Sequence, residues 1–392
     1  MNNNLLIDRV MKLTKLILSA SVAALALVSC EKHETAPEAP KRLKTVEVSL
    51  KNAALTKGLA GNKIKEGDAV ILNDFKLFLT DAAGNEYTAK VANGSEEAQT
   101  YWSTADLSAG PIEASFHYVD PNCTRVIAVG NLGDDLTYAE YLALENLKID
   151  DQQEQDKLVL YDVKNLDKTS GQHTDTSNGV TYLTDVYKAE LTLTPRISRF
   201  EVDGFTVKFN DEPKYETINI TQIAFQNYYP ETSVITGEES GELVNHITDF
   251  NNQSDVYAWL DTPVTGEKPW YRDYFDITLT SVEPAVTTKD TPAPLAYHIF
   301  STEEEEATPV LVIKLLADGQ PAYLFSKGFY KTDGTKISAF EEGKIYRMSA
   351  KGEAENDGSI HINEDDIDPM DRCLEITVDV KDWAVELIYP EF

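Results

Sequence analysis

Basic residues are scarce in this chain. Lys and Arg together number 35 against 66 Asp and Glu, a formal net charge of −31. A surface of that sign repels phosphate backbones and sets nucleic acid aside as a partner. Cysteine is scarcer still: Cys30, Cys123 and Cys373 are the three in the chain, and no two have metal-ligand spacing. A disulfide between Cys123 and Cys373 suits an oxidising compartment, but spacing does not establish it. Isolated cysteines equally suit small buried apolar positions. The six histidines are scattered, and none stands in H-E-x-x-H. Neither a Walker A nor a G-x-G-x-x-G loop is present. G-E-E-S-G at Gly237–Gly241 lacks the spacing of a nucleophile elbow. No carboxylate pair is singled out for glycoside hydrolysis. The expectation is therefore a protein without cofactor, metal or catalytic function. Long hydrophobic runs are missing too. The apolar stretch Leu16–Val28 falls short of the roughly 20 residues of a membrane span.

That stretch has another reading. Lys12 and Lys15 form a basic region ahead of it, and Met11 is the natural start by this pattern. It closes in Leu27-Val28-Ser29-Cys30, which resembles a lipobox, where the cysteine thiol is lipidated and becomes the mature N-terminus. Residues 1–30 are thus expected to be a lipoprotein signal peptide, with Cys30 as the lipidation site. Residues 31–41, charged and proline-containing, suit a tether.

The body reads as strands. Apolar residues make up 42% of the chain, enough for a packed core. Val46, Val48 and Leu50 alternate with Glu47 and Ser49, the period of a half-buried strand. Further strands are expected near 75–79, 125–129, 182–193, 197–209, 217–226, 274–282, 309–316, 323–327 and 344–350, separated by turn residues such as Asp318-Gly319 and Asp333-Gly334. One helix is expected over 137–147. Pro195 cannot donate to a central ladder and marks a boundary. The fold expected is all-β: two tandem β-sandwiches with little helix, over 42–194 and 195–392.

Two stretches invite ligand readings. Asn363–Asp371 (N-E-D-D-I-D-P-M-D) is rich in carboxylates but lacks the glycine and the closing glutamate of an EF-hand, so it reads as a linker. Trp270-Tyr271 beside Tyr274-Phe275 is the best aromatic candidate for stacking on a sugar, although aromatics in sandwiches are more often core.

The tail is more informative. Leu374, Ile376, Val378 and Val380 alternate with acidic and polar residues. The parity slips at Lys381-Asp382, and Trp383, Val385, Leu387 and Tyr389 carry a second alternating set. Two strand segments at a chain end either close their own domain or are offered to another molecule's sheet.

With the lipobox, the ordered strands Thr45–Leu50, Phe75–Leu79 and Arg125–Asn131, the segment Pro195–Phe200, Gly343–Met348 and the terminal V-x-V-x-x-W at Val378–Trp383, the chain resembles the fimbrillins, lipoprotein precursors of the type V pili of Bacteroidales. The resemblance runs in order over most of the length. It implies transthyretin-like Greek-key sandwiches and a subunit of a cell-surface fimbrium that supports adhesion. It implies export to the outer membrane as a lipid-anchored precursor. A trypsin-like protease would then cut in the loop after the first strand, here after Lys57. Fimbrillins are commonly cut after arginine, and Lys51, Lys63 and Lys65 are alternatives. Loss of 42–57 would open a groove, and the 373–392 tail of a neighbouring subunit would fill it through Leu374, Ile376, Val378, Val380, Trp383, Val385, Leu387 and Tyr389. The partners implied are other pilus subunits, in a homopolymer or a mixed fimbria, the protease, and an unidentified host or bacterial surface receptor. At about 1.5–3 kcal/mol per buried side chain, eight apolar residues outweigh the three of the resident strand by on the order of 8–15 kcal/mol gross. On this reading Ile376→Asp stops assembly and leaves the monomer folded. The alternatives are a fimbrial tip adhesin and a surface glycan-binding lipoprotein of a polysaccharide-uptake system.

Overall fold

Strand formation follows side-chain alternation over much of the chain, and burial shows where it does not. The computed structural model describes residues 43–50, 53–56, 70–91, 96–107, 113–133, 135–154, 156–177, 180–244, 260, 272–287, 295–300, 308–349, 358–367, 373–382 and 385–388. Among them the fold is all-β, with little helix: Thr104–Leu107, Tyr138–Leu142, Leu260 and two short 3-10 turns.

Two sheets are built wholly from residues up to Pro195. A four-stranded sheet has the order Asp167–Ser177, Val180–Leu191, Lys44–Leu50, Glu113–Val119. A six-stranded sheet runs Thr194–Pro195, Leu160–Asn165, Arg125–Gly130, Phe75–Thr80, Glu86–Tyr87, with Tyr101–Trp102 also paired to Phe75–Thr80. Two others are built from residues after Arg196. The larger has eight strands: Arg272–Leu279, Ile218–Gln226, Val310–Ala317, Gln320–Lys331, Cys373–Asp382, Lys344–Ser349, Ile197–Val202 and Leu295–Phe300. The smaller joins Ala285–Thr287, Gly204–Lys208 and Ser359–Asn363. Two small sheets draw on both parts. Leu147–Lys148 pairs with Glu231–Thr232, and Val385–Ile388 lies between Ala53–Thr56 and Val70–Ile71. Residues from Arg42 to Phe392 form one compact unit, and its main core runs without a break from Val46 through Phe200 to Ile376.

The expected strand over 197–209 divides in two. Ile197–Val202 joins the large sheet and Gly204–Lys208 the small one, with Asp203 at the break. A Cβ on Gly204 would stand 2.4 Å from the carbonyl oxygen of Val286, so the two backbones meet there only because the residue is glycine. The helix is shorter than expected. Thr137 caps it, its hydroxyl accepting from Glu140 N while the Glu140 carboxylate accepts from Thr137 N. Leu147 is drawn out of it into a strand.

Ile197–Val202 does not alternate at all; its six residues are buried. Phe200 is fully enclosed, with the rings of Phe225, Phe329, Phe340 and Tyr346 centred 5.0–5.3 Å away. The opposite face carries Arg199 and Glu201, joined at 2.6 Å. Arg199 Nη1 lies 3.0 Å from His298 Nε2, and His298 Nδ1 lies 2.7 Å from Gln152 O. Arginine only donates, so His298 accepts at Nε2 and donates at Nδ1: a neutral ring of fixed tautomer. Asp203 pairs with Arg347, both buried. Arg196 bonds Glu342 at 2.9 Å and stacks 3.8 Å above the Tyr161 ring. The arginines flanking Ile197 therefore hold strands together.

Candidate assembly site: the first strand, its slot and the tail

The first strand, Lys44–Leu50, is an interior strand. It runs parallel to Val180–Leu191, with Val46 opposite Tyr187 and Val48 opposite Ala189. It runs antiparallel to Glu113–Val119, with Val46 opposite Phe116 and Val48 opposite Ala114. Val46 and Val48 are buried in the main core with Phe116, Ala189 and Leu191. Leu50 is only partly buried against that core, so two of the three expected inward residues are enclosed. At about 1.5–3 kcal/mol per fully buried side chain, those two are the apolar share of the strand's hold.

The remainder of that hold is polar. The register between the first strand and Glu113–Val119 slips between Lys44 and Val46, and Tyr118 adopts φ 55° at that point. Such a bulge re-aims its side chains. Here His117 Nδ1 comes 3.2 Å from the Thr45 hydroxyl, which also lies 2.7 Å from the Thr184 hydroxyl. All three residues are buried. Lys44 is buried as well. Its ammonium donates to Cys123 O at 2.6 Å and stands 4.3 Å above the Tyr187 ring. Glu47 pairs with Lys188 at 2.9 Å on the solvent side, where an ion pair contributes little. Cys123 is a free thiol, so no disulfide joins it to Cys373. Burial pushes its pKa up to about 11, with Lys44 pulling the other way. Its Sγ lies 3.7 Å from Arg125 O.

Beyond Leu50 the chain forms Ala53–Thr56, which pairs parallel with the tail segment Val385–Ile388. That segment pairs parallel on its other side with Val70–Ile71. The backbone of the tail's last described segment therefore lies between the two strands that bracket the expected cleavage loop. Lys57, Lys51, Lys63, Lys65 and Cys30 lie outside the described residues, as do Trp383 and Tyr389.

The larger tail strand, Cys373–Asp382, sits within its own chain's eight-stranded sheet. It is parallel to Gln320–Lys331 and antiparallel to Lys344–Ser349. Leu374, Ile376, Val378 and Val380 lie on this strand, and Val385 and Leu387 on the shorter one. Ile376 is buried in the main core. The expectation that Ile376→Asp spares the monomer is therefore corrected: a carboxylate there would be buried in the subunit's own core.

The other candidates resolve into structure. Glu364 is fully buried and accepts from the backbone N–H of Asn210 at 2.6 Å and of Lys214 at 3.0 Å. Asp365 pairs with Lys214 at 2.6 Å. These carboxylates tie the turn Glu364–Ile367 to the loop that carries Asn210 and Lys214. Among the described residues no group of His, Cys, Asp and Glu could hold a metal ion. Trp102 stacks on Phe75 with ring centres 4.6 Å apart. Tyr274 is exposed and Phe275 packs on the core, while Trp259, Trp270 and Tyr271 lie outside the described residues. The buried polar set around Thr45 and His117 went unnoticed in the sequence. Its members lie 72 and 139 residues from Thr45, and no local pattern signals them.

No helix among the described residues is long and apolar enough to cross a membrane. No family model matches the chain, and no curated protein sequence matches it. Solved structures do. The chain is similar to a candidate cell adhesion protein from Parabacteroides distasonis at 15% identity and a TM-score of 0.47, covering 88% of this chain and 98% of that one. It is similar to a candidate cell adhesion protein from Bacteroides eggerthii at 12% identity and a TM-score of 0.43, covering 90% and 100%. It is also similar to a fimbrilin from Porphyromonas gingivalis at 11% identity and a TM-score of 0.44, covering 89% and 99%.

Proposed function

We propose that this chain is a structural subunit of a cell-surface fimbrium, built as two tandem sandwiches that meet near Thr194-Pro195. It is exported as a lipoprotein through Cys30, trimmed after Lys57 by a trypsin-like protease, and polymerised by strand exchange. The observation that carries this reading is the interior place of Lys44–Leu50. An edge strand would leave a flat rim when lost; this one leaves a slot with an unpaired backbone on both sides, lined by Phe116, Ala189 and Leu191. A cut after Lys57 removes Ala53–Thr56 in the same step, and with it one of the two strands that hold Val385–Ile388. One proteolytic event thus empties the acceptor and loosens the end of the donor. The tail then leaves its own sheet to fill the slot of a second copy, a head-to-tail contact that does not close and so grows a filament.

The test is Edman sequencing of material sheared from cells. A mature N-terminus just after Lys57, in filaments, is the expected result. A surface form that keeps lipidated Cys30 and stays monomeric would overturn the proposal.

A further inference from the structure

The motif Thr-Val-acid-Val occurs twice in this chain, as Thr45-Val46-Glu47-Val48 and as Thr377-Val378-Asp379-Val380. The first copy is the centre of the slot strand and the second lies in the tail strand. Their backbones also share a setting. The first copy has a parallel neighbour on one side and an antiparallel neighbour on the other. In its own sheet the tail strand has the same arrangement, parallel to Gln320–Lys331 and antiparallel to Lys344–Ser349. The two segments thus match in sequence and in the directions of their hydrogen-bonding partners.

We infer that the tail of a second copy enters the slot in one register, with Thr377 in the place of Thr45, Val378 of Val46, Asp379 of Glu47 and Val380 of Val48. This inference rests on the fimbrial reading above. Each position of the slot makes a separate demand. Thr45 meets the hydroxyl of Thr184 and Nδ1 of His117 within a buried pocket. A hydroxyl on a β-branched residue answers that pocket, and a plain aliphatic side chain there would bury it without a partner. The Val46 and Val48 positions admit β-branched apolar side chains against Phe116, Ala189 and Leu191. The Glu47 position faces the Lys188 ammonium, which an aspartate also satisfies in sign. A slip of one residue in either direction would put Asp379 into the core and Val378 or Ile376 at the hydroxyl pocket. A slip of two keeps the apolar face inward, yet it sets Glu375 or Asp379, a carboxylate and not a neutral hydroxyl, at the Thr45 position toward Thr184. The occupant that meets all four demands together is a copy of the strand that left, and the tail carries one.

Disulfide trapping in filaments of the trimmed full chain tests the register. In a Cys123→Ala/Cys373→Ser background, Ala114→Cys is combined in turn with Val378→Cys, Val380→Cys or Asp382→Cys. Ala114 is the Cα partner of Val48, so Val380→Cys is expected to give at least tenfold more intermolecular disulfide than the other two. Ser115 is the partner of Glu47 and is exposed, so Ser115→Cys with Asp379→Cys gives a second readout that leaves the core intact. The untrimmed chain, its slot occupied, should give neither. Filaments whose disulfides form at Val378→Cys or Asp382→Cys, or at none of these positions, would overturn the register and leave strand exchange standing. Trimmed subunits that remain monomeric with every pair would overturn the fimbrial reading with it.

Discussion

The ammonium of Lys44 donates to the carbonyl oxygen of Cys123 at 2.6 Å, so the first residue of the slot strand closes the loop that holds the buried thiol. Burial sets that thiol's pKa at about 11, against the opposing pull of the Arg125 carbonyl contact and then of Lys44. Removing residues 42–57 takes away the cover and the ammonium together. Loss of cover is the larger effect, so trimming should expose the thiol and increase its thiolate fraction. The untrimmed protein is expected to resist iodoacetamide at pH 8, and the freshly trimmed protein to react at Cys123 at least tenfold faster. Mass spectrometry of the labelled peptide reads this, and equal rates would contradict the slot.

The backbone of Val385–Ile388 is bonded on one side to Ala53–Thr56 and on the other to Val70–Ile71. Loss of the first neighbour leaves a one-sided strand, whose amides open more readily. Hydrogen exchange across this segment is expected to accelerate on trimming, before any filament forms. Protection unchanged by the cut would separate cleavage from tail release.

His298 is fully enclosed, and burial followed by the Arg199 charge brings its pKa down to about 3 from an ordinary 6.5. The folded state therefore holds the ring neutral where the unfolded chain would protonate it. The unfolded state binds more protons between those two values, so stability is complete above about pH 6.5 and falls as pH drops toward 3. The partners facing the ring are Arg199, the adjoining Glu201 and the carbonyl of Gln152. His298→Asn cannot take up that proton. It should lose some stability at neutral pH yet show a shallower decline between pH 6.5 and 4 in urea unfolding. Parallel acid limbs in the two proteins would show that His298 does not govern this range.

Asp203 and Arg347 are both buried and paired. Removing one partner strands a charge, at a cost of roughly 3–5 kcal/mol, whereas replacing both with apolar residues of similar volume costs far less. Arg347→Met is expected to be destabilised by that amount in denaturant unfolding, and Asp203→Leu/Arg347→Met to recover much of it. Gly358 stands at φ 72° with its missing Cβ 2.5 Å from the Asp203 carboxylate. Gly358→Ala should therefore destabilise through the same pair, and additive losses in a double-mutant cycle would contradict that coupling.

The first strand and most of the large-sheet strands were legible in the chain because alternation is a local property. Val46 and Val48 point inward in a sandwich whichever strand lies beside them. Asp167–Ser177 went unread because an outer strand with polar residues on both faces has no apolar period to detect. Ile197–Val202 was read too long because both of its faces are covered, so its sequence does not announce where one sheet ends and the next begins. Helix expectation over 137–147 overran because Leu147 answers to a partner strand more than 80 residues away.

By itself the sequence determined the all-β class, the alternating faces and the presence of two detachable-looking segments at the ends of the body. The tertiary structure decided that the first of these is interior and that the second rests in the subunit's own sheet beside Lys344–Ser349. It also decided that Thr45 answers to His117 and Thr184. The reason is that a period of two tells a residue which side to face, whereas the neighbour on each side is chosen by long-range packing and hydrogen-bond pairing, which no local pattern records.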